Sequence, residues 1–342
     1  MKTVYSIGIL LVVLVSAGIF ILWLSPSADM SPASIKFGAD RYKEITNPSG
    51  FVNTEQISIG ESVGKKVILV DFMTYSCINC QRTFPYLNAW YKKYKDEGLE
   101  IVGIHTPEFA FEKDIENVRK AMKQYGIEHP VVLDNNYATW NAYGNKYWPR
   151  KYLIDIHGNI VYDHVGEGAY EETEVKIKEL LAKRASVLGE RMNISGDSLA
   201  AEEILTSGQE AVSPEVYFGA GRNELLGNGK RFMAGKQTIS LPSTFSLNTL
   251  YLGGVWNIAG EYAENVSPAV VMFKYRARDV YMVAGSGGKT SVEVLRDGAV
   301  VKTVEVSEEG LYTLIESPEY GEHVLELRIR ESGLQAFTFT FG

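Results

Sequence analysis

The chain has two cysteines, Cys77 and Cys80, separated by Ile78-Asn79. A loop that short cannot staple distant parts of a fold, so the pair reads as chemistry. It also constrains the local structure. The preceding run, residues 66–72 (KVILVDF), is short, apolar and of β type. After the pair, Phe84, Leu87, Trp90 and Tyr91 recur at helical spacing. The cysteines therefore sit where a buried strand hands over to a helix. Helix N-termini carry unpaired N–H groups and partial positive charge, which stabilise a thiolate. Cys77, the more N-terminal and exposed, is expected to attack a disulfide. Cys80, one turn further in, is expected to resolve the mixed disulfide. The rival for this spacing is half of a zinc site, but such sites want four ligands and the sequence has no second cysteine pair. No metal and no external cofactor is expected beyond the Cys77–Cys80 pair itself.

The surrounding pattern predicts alternating layers. Residues 99–104 and 131–133 read as strands, 111–125 as an amphipathic helix stopped by Gly126, and 137–143 as a short helix. Residues 152–156 and 160–165 read as a hairpin joined by His157-Gly158-Asn159, and 170–185 as a closing helix. This order indicates an α/β domain with a mixed sheet over residues 56–186. Residues 187–212 are small and polar and read as a linker, with a helical turn near 200–205. Beyond Pro214 the helical period disappears. Strand-like runs at 280–284, 291–295, 300–306, 312–316, 323–330 and 336–341, with a turn at Arg296-Asp297-Gly298, predict an all-β, jelly-roll-like sandwich over residues 213–342.

At the other end, residues 4–24 contain no charge, and a run of about 21 apolar residues fits a membrane-crossing helix. A signal peptide has a shorter apolar region and a small-residue cleavage site after it. The expectation is a single-pass plasma-membrane anchor, a tether at residues 25–55, and folded domains outside the cytoplasm. The net charge of −8, with no basic cluster, argues against a nucleic-acid partner.

Four positions extend the redox reading. Asp71, at the end of the strand before the pair, is placed to take and return the Cys80 proton. Pro149 after Trp148 suits a cis bond in a tight turn beside the disulfide, or an ordinary proline at the start of a strand. Trp148 and Tyr75 line a substrate surface or belong to the core.

The segment VDFMTYSCINC resembles the thioredoxin active-site strand and helix, with Asp71 at the acidic position and Met73 where a tryptophan is usual. The longer stretches beginning DFMTYSCINCQRTFPYLNAW and LDNNYATWNAYGNKYWPRKYLIDIHGNIVYDH closely resemble the soluble part of DipZ-type proteins, over roughly residues 56–186. A fainter resemblance reaches the closing FTFTFG. Those proteins join a membrane electron-transfer domain of the cytochrome-c-biogenesis type to a thioredoxin-like domain and a β-sandwich. The resemblance implies a thioredoxin-like fold, a cis Pro149, and reduction of disulfides in exported proteins. This sequence shows one apolar span where the family has several, so if it is reduced from the cytoplasm the expectation is a separate membrane protein as electron donor.

Other signals weigh less. Thr74 and Cys77 have peroxiredoxin spacing, but the proline that belongs before them is missing. Copper-delivery relatives use CxxxC and a distant histidine; the aligned position here is Tyr147, and His164 lies on the next strand. His105 lies at a strand end and reads as a loop cap or a neighbour of the site. The segment 285–290 mimics a phosphate loop but lacks its first glycine and reads as a hairpin loop. Tyr251, Trp256 and Tyr262 form either a glycan-stacking platform or sandwich core. A glycan- or partner-binding protein with an accessory redox domain is the second functional reading.

Overall fold

The computed structural model describes residues 40–191 and 213–342. The expected anchor at residues 4–24 and the helical turn at 200–205 lie outside them. Among the described residues no helix is long and apolar enough to cross a membrane.

The first half runs β1 (Gly50–Val52), α1 (Ile59–Ser62), β2 (Val67–Met73), α2 (Ile78–Tyr94), β3 (Leu99–His105), α3 (Ile115–Gln124), β4 (Val131–Leu133), α4 (Ala138–Ala142), β5 (Arg150–Ile154), β6 (Ile160–Val165) and α5 (Tyr170–Leu188). Its sheet order is β1-β4-β3-β2-β5-β6, with β2, β3 and β4 parallel and the others antiparallel. That is a thioredoxin-like mixed sheet. Central strand β2 is buried at every position, because helices cover both faces. Its odd residues Val67, Leu69 and Met73 meet α2, α3 and α5. Its even residues Ile68, Val70 and Phe72 meet α1 and α4. This period-two division puts Asp71 on the α2 face.

Residues 40–55 differ from the expected tether. Arg41 bridges Asn159, and β1 pairs antiparallel with β4. Phe51 packs on the α1/α4 face and Val52 on the opposite one. Three residues of strand are too few to show a period among serines, prolines and glycines; the partner strand defines them.

The second half contains β7 (Val216–Tyr217), β8 (Gly235–Ile239), β9 (Leu250–Ile258), β10 (Ala263–Asn265), β11 (Ala269–Ala277), β12 (Val280–Ser286), β13 (Thr290–Arg296), β14 (Ala299–Val306), β15 (Gly310–Ile315), β16 (Gly321–Ile329) and β17 (Leu334–Phe341). One layer is β14-β13-β16-β11-β9, and the path continues through β10-β17-β12-β15, with β7 on β17 and β8 on β9. Strand β9 belongs to both layers. Residues 250–253 pair with β11, and 256–258 with β10. Gly254 takes φ +110°, a conformation that lets the strand turn from one layer to the other. The result is a sandwich nearly closed into a barrel. Asp297 and Gly298, both at positive φ, make the tight turn of the β13–β14 hairpin. The 285–290 segment is not a hairpin loop: β12 pairs with β15 and β17, whereas β13 pairs with β14 and β16. It crosses between layers.

Trp256 is fully buried, Tyr251 is buried, and Tyr262 packs on Phe337. These three aromatics are packing groups, and they do not form an exposed platform.

Candidate active site

Cys77 caps α2 at its N-terminus with extended backbone (φ −79°, ψ 119°), and its carbonyl accepts the Gln81 amide at 3.0 Å. Its side chain is half-buried and Cys80 is fully buried; both are thiols in this structure. One sulfur is therefore accessible and the other sealed, as attack followed by internal resolution requires. Burial pushes the Cys80 thiol up, and Cys77 and Asp71 add to that push. The Thr74 amide, which donates to the Cys80 sulfur, works against it.

Asp71 is fully buried, and neither carboxylate oxygen accepts a hydrogen bond from a described residue. Desolvation raises it to about 7, against the opposing pull of Lys151. Lys151 stands directly across the ladder from Asp71 and is equally buried. Its ammonium donates to the Gly166 carbonyl at 3.2 Å and lies 5.6 Å from the Tyr170 ring centroid. Burial lowers the Lys151 ammonium, while Asp71, Cys80 and Glu167 pull it back up. An acid, a base and a thiol thus share one buried compartment.

The sequence did not single out Lys151. Within Arg150-Lys151-Tyr152 it looks like an ordinary strand charge. Its parity with Leu153, which enters the α2-side core, is the signal that places it inward.

The Trp148–Pro149 bond is cis, and the Pro149 carbonyl accepts the Gly166 amide at 2.8 Å. Trp148 is half-buried; its indole N–H donates to the Thr106 carbonyl at 3.0 Å and its ring lies 4.3 Å from Trp140. Tyr75 is buried, stacked on His105 at 5.6 Å and edge-on to Phe111 at 6.2 Å. It is chiefly a core aromatic with one edge on a groove. His105 is fully buried, and burial drops its imidazole to about 3, so it is neutral at ordinary pH. The His164 ring nitrogen meets the Glu167 carbonyl at 3.0 Å.

A second buried carboxylate organises the loop that precedes Cys77. One oxygen of Glu112 accepts the Thr74 hydroxyl, the Ser76 hydroxyl at 2.6 Å and the Ser76 amide at 3.3 Å. The other accepts the amides of Glu108 at 2.6 Å and Phe109 at 2.9 Å. In sequence, Glu112 falls inside the expected helix 111–125 and resembles a solvated charge. In the structure Asp114 caps α3, so the helix starts at Ile115 and a separate 3-10 turn carries Glu112 inward.

That turn also carries the seam with the sandwich. Phe109 and Phe111 meet Phe337 edge-on at 5.1 and 5.2 Å. Glu108 accepts the Tyr217 hydroxyl and the Arg222 guanidinium, each at 2.8 Å. The Ala110 amide donates to Glu261 at 2.9 Å. Arg82 bridges Glu167 at 3.1 Å and the Tyr281 hydroxyl at 3.3 Å.

Comparison with known proteins fits this two-part construction. A family profile described as Redoxin matches residues 39–181, and one described as Thioredoxin like C-terminal domain matches residues 213–342. The chain is 38% identical over 305 residues to Protein DipZ of Mycobacterium bovis and to that of Mycobacterium tuberculosis, covering 87% of this chain. It spans 42% of the length of those relatives. It is also 31% identical over 172 residues to the thiol-disulfide oxidoreductase ResA of Bacillus thuringiensis, which covers 50% of this chain and 93% of ResA.

Proposed function

This chain belongs to the thioredoxin-like thiol–disulfide oxidoreductases, and on that premise we propose that it reduces disulfides of exported proteins from a membrane-tethered position. The observation that carries the chemistry is the unequal pair: Cys77 half-buried at the cap of α2, Cys80 sealed above Asp71 and Lys151.

The Cys77 thiolate attacks one sulfur of the client disulfide. A mixed disulfide forms, and the client's other sulfur leaves and takes up a proton. Cys80 then gives its proton to Asp71 and attacks the Cys77 sulfur. The second client thiol departs, and the chain holds a Cys77–Cys80 disulfide. The client has gained two electrons and the chain has lost two. A membrane donor of the cytochrome-c-biogenesis type returns them. The apolar run at residues 4–24 supports the tether, and the family resemblance supports the donor and the reductive direction.

The test is turnover of a cystine peptide with dithiothreitol as donor. Cys77→Ser abolishes it, and Cys80→Ser traps client on Cys77 as a mixed disulfide visible on non-reducing gels. Turnover surviving Cys77→Ser would sink the mechanism. A reduction potential near or below about −220 mV supports the reductive direction, and one above about −150 mV overturns it.

A further inference from the structure

Beside the N-terminal end of α2 lies a groove of about 330 Å³ that both halves of the molecule build. Tyr75 and Gln81, which bracket the cysteine pair in sequence, form one wall. Lys120 and Gln124 on α3 form the second, and Glu309 and Gly310 at the start of β15 form the third. Its volume is at the small end of ligand pockets, enough for a side chain and its backbone.

The polar character of the groove has a sign. Lys120 is paired with Glu308 across it, so each charge is partly offset by the other. Glu309 is exposed and makes no ion pair with a described residue. Its stem lies over Gly285: a Cβ there would come within 2.7 Å of the Glu309 Cγ. Gly285, the first residue of the segment that mimics a phosphate loop in the sequence, therefore makes room for the Glu309 stem. Burial pushes the Tyr75 phenol up, and the carboxylates of Glu112, Glu309 and Asp114 push the same way. The phenol stays protonated, in a field that favours positive charge.

We propose that this groove is a client subsite, in which Glu309 of the sandwich selects polypeptides bearing a lysine or arginine beside the disulfide presented to Cys77. The inference rests on the exchange reading above and names its substrate class. It assigns the sandwich a part in specificity: without β15 the groove has two walls and no uncompensated carboxylate.

The experiment uses the full chain, dithiothreitol as donor, and two cystine peptides identical except for arginine or glutamate beside the disulfide. Each kcat/KM is divided by that for neutral hydroxyethyl disulfide. This ratio cancels any loss of folded protein. The arginine peptide is favoured roughly three- to fivefold at low ionic strength, as one exposed ion pair allows, and the preference shrinks in 0.5 M salt. Glu309→Lys reverses it. Gly310→Trp, at a position where an added Cβ meets nothing within 4 Å, fills the groove and lowers the ratio for both peptides. Equal ratios for the two peptides, unmoved by Glu309→Lys, overturn the subsite while turnover of hydroxyethyl disulfide leaves the exchange reading standing. No turnover of hydroxyethyl disulfide overturns the exchange reading, and the subsite with it.

Discussion

Asp71 is held at about 7 because it is buried without a hydrogen-bond donor, and Lys151 only partly offsets the desolvation. A carboxylate poised there can take the Cys80 proton at neutral pH and still return it, which is what a general base requires. Asp71→Asn should lower turnover by roughly 10²-fold and remove the inflection near pH 7 from the pH–rate profile. A profile matching the wild type would exclude Asp71 from the proton path. The same shift bears on stability. The folded value lies above that of an exposed aspartate, so ionisation weakens the fold. The penalty is absent below about pH 4, grows with pH, and is complete above about 7, reaching at most about 4 kcal/mol. Urea unfolding should show wild-type stability falling over that window relative to Asp71→Asn. Lys151→Met removes the nearby positive charge and should move the kinetic inflection upward; an unmoved inflection would show that the ammonium does not act on Asp71.

Among the elements, the 3-10 turn that carries Glu112 does two jobs. Its carboxylate ties down Thr74 and Ser76, and its aromatics meet the sandwich. Glu112→Ala strands two buried hydroxyls and up to three amides, so unfolding stability should drop by roughly 2–4 kcal/mol. An unchanged urea midpoint would show that water replaces the carboxylate. This turn also marks where sequence patterns stop being informative. Strand β2, helix α2, strand β3 and the β5–β6 hairpin follow from hydrophobic period and turn residues, because each is long enough to repeat. Helix α3 blurs into its approach, since Phe111 and Ile115 have helical spacing although Asp114 ends one element and caps the next. Strand β1 and the 285–290 crossover are defined by partners distant in the chain, which local pattern does not encode. The placing of Asp71 on β2 and of the cysteine pair at the start of α2 is legible from spacing along one strand and the helix after it. Lys151 and Glu112 become part of the site only through register and burial.

At the scale of the molecule, the sandwich and the thioredoxin-like half share a buried hydrophobic cluster of Phe109, Val283 and Phe337, and the Glu108–Arg222, Glu108–Tyr217 and Arg82–Tyr281 contacts also join them. Phe337→Ala opens a cavity within that cluster and should destabilise by roughly 3–5 kcal/mol. An effect below about 1 kcal/mol would mean the seam contributes little to the fold. Halves joined this way share their fate on heating. Calorimetry should record one cooperative endotherm for the described domains, with calorimetric and van't Hoff enthalpies in agreement. Phe337→Ala should split it into two peaks. Closing the Cys77–Cys80 bond adds stability to a unit that melts as one, so oxidation should shift the melting of strands in the sandwich that lie nowhere near either sulfur.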